Sequence, residues 1–185
     1  ARVSYFSARQ DWFDDAIQLA SELQQPNRAF HYAERARARA MHDALMAGTS
    51  ARDTAAMTPS NWFALPATEE LQRQIPANVQ VLEYRVTTDT LWVWLLENDT
   101  LFVQRIALTA RALEDTIQSF LQSVGATNYD DFRRRCKNDM AQVYNENRKI
   151  GKELFQLLLG VFANKLASEK YLYIIPDGML HLVPW

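Results

Sequence analysis

Between Val79 and Leu108 the chain reads VQVLEYRVTTDTLWVWLLENDTLFVQRIAL. Three β-branched and aromatic runs, Val79 to Val86, Leu91 to Glu97 and Leu101 to Leu108, are joined by short turns at Thr87-Thr88-Asp89-Thr90 and at Asn98-Asp99. Such runs read as strands, and connections this short force antiparallel neighbours. In the middle run Leu91, Val93 and Leu95 point one way while Trp92, Trp94 and Leu96 point the other. Both faces are apolar, so the strand is expected at the centre of a sheet, covered on both sides.

Helices must supply the cover, and helical patterns follow. Thr109 is a candidate N-cap for a helix with a stripe of Leu113, Ile117, Phe120, Leu121 and Val124, ending at Gly125. A second, long pattern runs from about Tyr129 to Ala167, with a candidate break near Asn145 to Asn147. Its later part repeats Ile150, Leu154, Leu158, Val161 and Phe162. It leads to Tyr171-Leu172-Tyr173-Ile174-Ile175, which reads as a strand buried on both faces. Pro176-Asp177-Gly178 carries turn chemistry, which predicts a second short strand over Met179 to Val183. Strands, then helices, then a further strand predict a mixed sheet with helices on its faces, an α/β fold.

Upstream, Phe13, Ala16, Ile17, Ala20 and Leu23 predict an amphipathic helix over Asp11 to Gln24. Pro26-Asn27 breaks it, and Asn27 is a candidate cap for a second helix from about Arg28 to Met46. That helix carries Ala29, Ala33, Ala36, Ala40 and Ala44 on one stripe. Two helices with a loop of about four residues make an antiparallel αα-hairpin, the unit of tetratricopeptide-type arrays. One unit cannot bury its own faces, so neighbouring repeats are expected. Ala47 to Ser60 is small, polar and aperiodic, a candidate linker. Pro66 and Thr68 open a short helix through Leu71 to Ile75, which Pro76 stops. The expected division is a helical-repeat hairpin over 1–46, a linker over 47–61 and a second domain over 62–185.

At 185 residues the chain can bury one good core or two small ones. A formal net charge of −2 gives no global attraction to nucleic acid or an anionic membrane. Cys136 is the single cysteine and cannot form an internal disulfide, which fits a reducing compartment. The longest apolar run, Leu154 to Ala163, is too short to span a bilayer. The expectation is a soluble, cytoplasmic protein. The chain begins without methionine and stops in apolar sequence, both expected of a piece of a longer protein.

Candidate chemistry is sparse. Arg28, Arg35, Arg37 and Arg39, with Glu34 and Asp43 close by, read as a solvated, salt-bridged face and not a nucleic-acid site. Arg133, Arg134, Arg135 and Lys137, balanced by Asp130, Asp131 and Asp139, read likewise. His31 and His42 are about 16 Å apart along a helix, too far to share a metal. No cysteine or carboxylate cluster surrounds His181, so no metal site is expected. Cys136 lies beside cations that could activate a thiol, yet no base or oxyanion site accompanies it, and it is read as non-catalytic. Gly151-Lys152 is not a phosphate loop, because Glu146 and Glu153 occupy positions that need glycine and a hydroxyl. Asp177 is a turn residue and not a general acid or base. Trp92, Trp94 and Phe102 are core candidates; Trp62 and Phe63 could be core or ligand platform. No catalytic, cofactor-binding or metal-binding residue is assigned, and no cofactor is expected.

Three stretches, in order, resemble one family. AFHYAERARARAMHDAL is similar to the last helical repeat before a CHAT domain, the caspase-like module that follows tetratricopeptide repeats. ELQRQIPANVQVLEYRVTTDTLWVWLLENDTLFVQRIAL resembles the entry to that domain, and GKELFQLLLGVFANKLASEKYLYIIPDGMLHLVPW its helix, strand and Pro-Asp-Gly turn. The resemblance implies a cysteine endopeptidase whose histidine and cysteine both lie downstream of Trp185. Neither His181 nor Cys136 matches them. It makes this chain the non-catalytic front of a peptidase: a repeat hairpin, an antiparallel front subdomain and the first strands of a caspase-like sheet. Its implied partners are the missing catalytic half and a protein bound by the repeats. The alternative is a stand-alone protein-interaction module in which the αα-hairpin and the exposed terminal hairpin bind a partner protein, with a sheet edge after Val183 open to strand addition or self-association. Binding of nucleic acid through the arginine clusters is the weakest of the three readings.

Overall fold

The computed structural model describes residues 2–48 and 66–185, with side chains described over 12–41 and 66–185. The chain is a mixed α/β protein, in two units. One comprises residues 1–77 with 96–102, the other 78–95 with 103–185.

In the first unit, helix α1 (Arg2–Glu22) and helix α2 (Pro26–Gly48) pack as a helical hairpin. Ile17 and Ala20 on one helix and Ala29, Phe30, Ala33 and Ala36 on the other are buried, so part of the alanine stripe does what its spacing predicts. Ala40 and Leu23 are exposed, and Ala44 falls outside the described side chains. The helix boundaries differ from expectation. Pro26 opens α2 instead of separating the helices, because the first helical position has no amide bond to lose. Asn27 therefore lies inside α2, and its side-chain amide donates to Glu69. Gln24, at φ 56°, turns the chain between the helices. Helix α3 (Thr68–Arg73) is tied to α2 by the Thr68 hydroxyl, which donates to the Asn27 carbonyl at 2.9 Å. Ala47 and Gly48 end α2, while the rest of the expected linker, with Trp62 and Phe63, lies outside the described residues.

The second unit is built on a four-stranded sheet. Strands β1 (Val79–Val86), β2 (Thr90–Leu96) and β3 (Leu101–Ala107) follow the three sequence runs to within a residue or two. The fourth, β4 (Tyr171–Ile175), adds beside β1 to give the order β3-β2-β1-β4. The β1–β4 pair is parallel, with Val79 opposite Tyr171 and Glu83 opposite Ile175. Every residue of β2 is buried, as its two apolar faces require. Trp92 and Trp94 stack with centroids 6.1 Å apart, and the Arg105 guanidinium lies 5.7 Å over the Trp92 ring.

Helices α4 (Ala110–Ser123), α5 (Tyr129–Asn138) and α6 (Met140–Leu158) follow β3. Thr109 caps α4, its hydroxyl accepting from the Ala112 amide at 3.1 Å. Gly125 ends that helical segment at φ +80°. A Cβ there would lie 2.7 Å from the Phe132 ring carbon, so both backbone conformation and space require glycine. Leu113, Ile117, Leu154, Leu158 and Phe162 are buried, while Val124, the last of the expected α4 stripe, is exposed.

The long helix predicted over 129–167 is divided at Asp139 and not near Asn145 to Asn147. Asp139 is extended at φ −153° and caps α6, its carboxylate accepting from the Gln142 amide at 2.9 Å. An aspartate that bonds its own downstream amide competes with helix continuation, whereas Asn145 and Asn147 are carried within α6. The helix stops at Leu158, followed by a 3-10 turn at Gly160–Phe162.

Two expectations at the end of the chain are corrected. The strand over Tyr171 to Ile175 is not buried on both faces: Tyr171 and Tyr173 are exposed, with Leu172 and Ile174 half-buried between them. That is period-two alternation in which the tyrosines occupy the open face, as fits an edge strand. Met179 to Val183 does not form a second strand. Gly178–Leu182 is a 3-10 helix, held by Leu180 N–H to Asp177 O at 3.1 Å and Val183 N–H to Leu180 O at 3.2 Å. It buries Leu180 and packs on α4.

Candidate functional site

The parallel pair β1–β4 is the part of the fold from which a site can be built, because ligands and reacting groups in open α/β sheets gather at the carboxyl ends of parallel strands. Three side chains of β1 fix where β4 and its turn lie, each reaching far along the sequence.

The first is Gln80. Its amide nitrogen donates to the Lys165 carbonyl and its amide oxygen accepts from the Ala167 N–H, both at 2.9 Å. The side chain pairs with the incoming chain much as another peptide group would, just before Tyr171 N–H meets the Asn78 carbonyl at 2.9 Å. The second is Tyr84, fully buried, whose hydroxyl donates to the Leu158 carbonyl at 2.9 Å. That carbonyl ends α6, where helical partners run out. Burial pushes the Tyr84 phenol above the ordinary tyrosine range. Its ring stacks on Trp185 at 5.4 Å.

The third is Arg85, at the carboxyl end of β1. The Asp177 carboxylate lies 3.7 Å from its guanidinium and accepts the Val86 N–H at 2.8 Å. The Arg85 side chain is only 9% exposed, against 25% for Asp177. Asp177 is thus more than the turn residue the sequence suggested. It clasps the turn after β4 to the end of β1. A carboxylate held by a backbone amide and a buried guanidinium is a positioning device. Its two partners, the Val86 amide and the Arg85 guanidinium, are not nucleophiles.

Glu83 precedes Arg85 by two residues on the same face of β1 and is 1% exposed. Sequence reading passed over Gln80, Glu83 and Arg85, although polar residues interrupting an otherwise apolar strand are a signal for buried hydrogen bonding.

The other candidates do not converge here. Cys136 is half-buried on α5, and among the described residues neither its thiol nor the exposed His181 imidazole has a hydrogen-bonding or charged partner. His31 lies against Tyr32 at 6.4 Å, and the His42 side chain is outside the described residues. Arg37 pairs with Glu34 at 2.8 Å, Arg134 with Asp131, and Arg135 with Glu146. These arginines belong to salt-bridged faces. Gly151 lies within α6, where a Cβ would make ordinary contact with Phe120 at 3.7 Å. Among the described residues no three His, Cys, Asp or Glu side chains are grouped to hold a metal, and no helix is long and apolar enough to cross a membrane.

Beside the clasp, β4 is an open edge. Tyr171 N–H faces β1, so by alternation along a parallel strand the N–H groups of Tyr173 and Ile175 face it too, and those of Leu172 and Ile174 point outward. Among the described residues no strand pairs with that outer side. No family model matches this chain, and no curated protein matches it in sequence.

Proposed function

We propose that this chain is the non-catalytic N-terminal part of a cytoplasmic cysteine endopeptidase of the tetratricopeptide-CHAT, caspase-like type. In this reading α1 and α2 are the last helical repeat before the peptidase domain, and β1 and β4 are the first parallel strands of the catalytic sheet. The chain supports the catalytic half and couples it to a helical-repeat sensor. The observation that carries the reading is the parallel pairing of β4 with β1 at the outside of the sheet. A parallel pair with an open edge invites further parallel strands, and a protease of this type places its histidine and cysteine at the ends of such strands.

The test is a paired assay of this chain and of the full-length product of its gene on a degenerate fluorogenic peptide pool. The reading expects no turnover by the chain, and turnover by the full-length product that alkylation abolishes even in a Cys136→Ala background. Activity of the chain itself, lost on Cys136→Ala, overturns it.

A second reading makes the chain a protein-interaction module that uses the same edge. The exposed tyrosines of β4 favour it, since an apolar edge carrying no charge within the strand is a template for strand addition. In that case the full-length product has no peptidase activity, and Tyr173→Lys abolishes partner binding or concentration-dependent self-association measured by light scattering.

A further inference from the structure

Helix α6 has a second face that its packing does not use. Val143, Leu154 and Leu158 are buried, and Gly151 lies against Phe120 of α4. On the outer side Ala141, Tyr144, Arg148, Lys152 and Phe155 are all exposed, Tyr144 to 62% and Phe155 to 50%. At 3.6 residues per turn these five positions fall within about 80° of arc, a straight stripe of roughly four turns. Met140, 65% exposed, borders its beginning.

The charge on this face is one-sided. Arg148 and Lys152, with Lys149 beside them, have no ion-pair partner among the described residues. The helix's two carboxylates, Glu146 and Glu153, lie more than about 120° from the centre of the stripe. Glu146 is already engaged by Arg135 and Gln142. A solvated helix face ordinarily mixes charges of both signs and spares its large apolar groups. Here two aromatic rings bracket two uncompensated cations in a chain whose net charge is −2.

We propose that this stripe docks an acidic amphipathic helical segment of a partner protein. Such a segment would lay apolar residues at three- and four-residue spacing against Tyr144 and Phe155 and carry carboxylates over Arg148 and Lys152. Aromatic side chains supply the anchoring area, and the cations set orientation and choice of partner. Nucleic acid is a poorer match, because three cations neutralise few phosphates and the chain as a whole repels them. The proposal is independent of the peptidase reading.

The test uses fluorescence anisotropy with a designed helical peptide bearing leucines at helical spacing and flanking glutamates. The comparison probes are a scramble of that peptide, its lysine-for-glutamate counterpart, a single-stranded oligonucleotide and phosphatidylserine-containing vesicles. The patterned acidic peptide is expected to bind saturably, and Tyr144→Ala with Phe155→Ala to weaken it about tenfold or more. Arg148→Glu with Lys152→Glu abolishes its binding and creates binding of the lysine peptide. All four positions are exposed, so thermal midpoints should hold; a variant that melts early is replaced by Tyr144→Gln or Phe155→Gln. Equal binding of the scramble, indifference to these substitutions, no saturable binding, or capture only by oligonucleotide or vesicles overturns the proposal.

Discussion

The Asp177 carboxylate accepts the Val86 amide across 91 residues of sequence, and in doing so joins the turn after the last strand to the end of the first. Without Asp177 the Val86 amide at the end of β1 would lose this acceptor. Arg85, buried beside it, would lose a counter-charge.

Replacing Asp177 by alanine therefore removes an acceptor from a backbone amide and a charge from a buried guanidinium. The expected loss is about 2–3 kcal/mol of unfolding free energy, more than an exposed ion pair is worth. Asp177→Asn keeps an oxygen for Val86 and should lose about half as much. Urea denaturation of the three proteins checks the order.

Tyr84 makes a prediction in pH. Its phenol titrates near 10 in an unfolded chain and higher when buried, so above about pH 10 the unfolded state releases a proton that the folded state keeps. The contribution is complete below that pH and falls away as the solution becomes more alkaline. Tyr84→Phe should cost about 1 kcal/mol near neutrality, by losing the bond to Leu158, and should flatten the alkaline limb. Thermal melts from pH 8 to 11 measure both effects. A limb equally steep in the variant would show that another group causes it.

Gln80→Ala leaves the Lys165 carbonyl and Ala167 amide without their side-chain partner. The expected result is a local one: amide exchange at Ala167 quickens about tenfold or more, while Leu95 in the centre of the sheet keeps its protection. Uniform acceleration through both would mean that Gln80 supports the whole fold and not the seating of β4.

The sheet was legible in the sequence because three runs with two-residue periodicity and very short turns leave one arrangement, and β2 lies in it as expected. What failed were features decided by side chains reaching across the fold or by local competition. The five residues from Met179 are too short for apolar content to distinguish strand from helical turn, and the clasp from Asp177 to Val86 directs the chain away from a hairpin. Asn145 and Asn147 looked like helix breakers, yet Asp139, read only as a counter-charge, divides the helix by capping its second half. Tyr171 and Tyr173 were counted as apolar, which concealed the alternation that marks an edge. The polar residues of β1 gave no hint of partners as distant as Lys165 and Asp177, so the arrangement at the strand end was not visible in the sequence.

Under the proposed function, the outer side of β4 is a receiving edge that further strands of a longer product fill. Site-resolved amide exchange of this chain beside the full-length product tests it. In the chain, Leu172 and Ile174 should exchange about a hundredfold or more faster than Tyr173 and Ile175, and in the full-length product all four should be slow. Slow exchange at Leu172 and Ile174 in the chain at low concentration, or fast exchange at both in the full-length product, would contradict it.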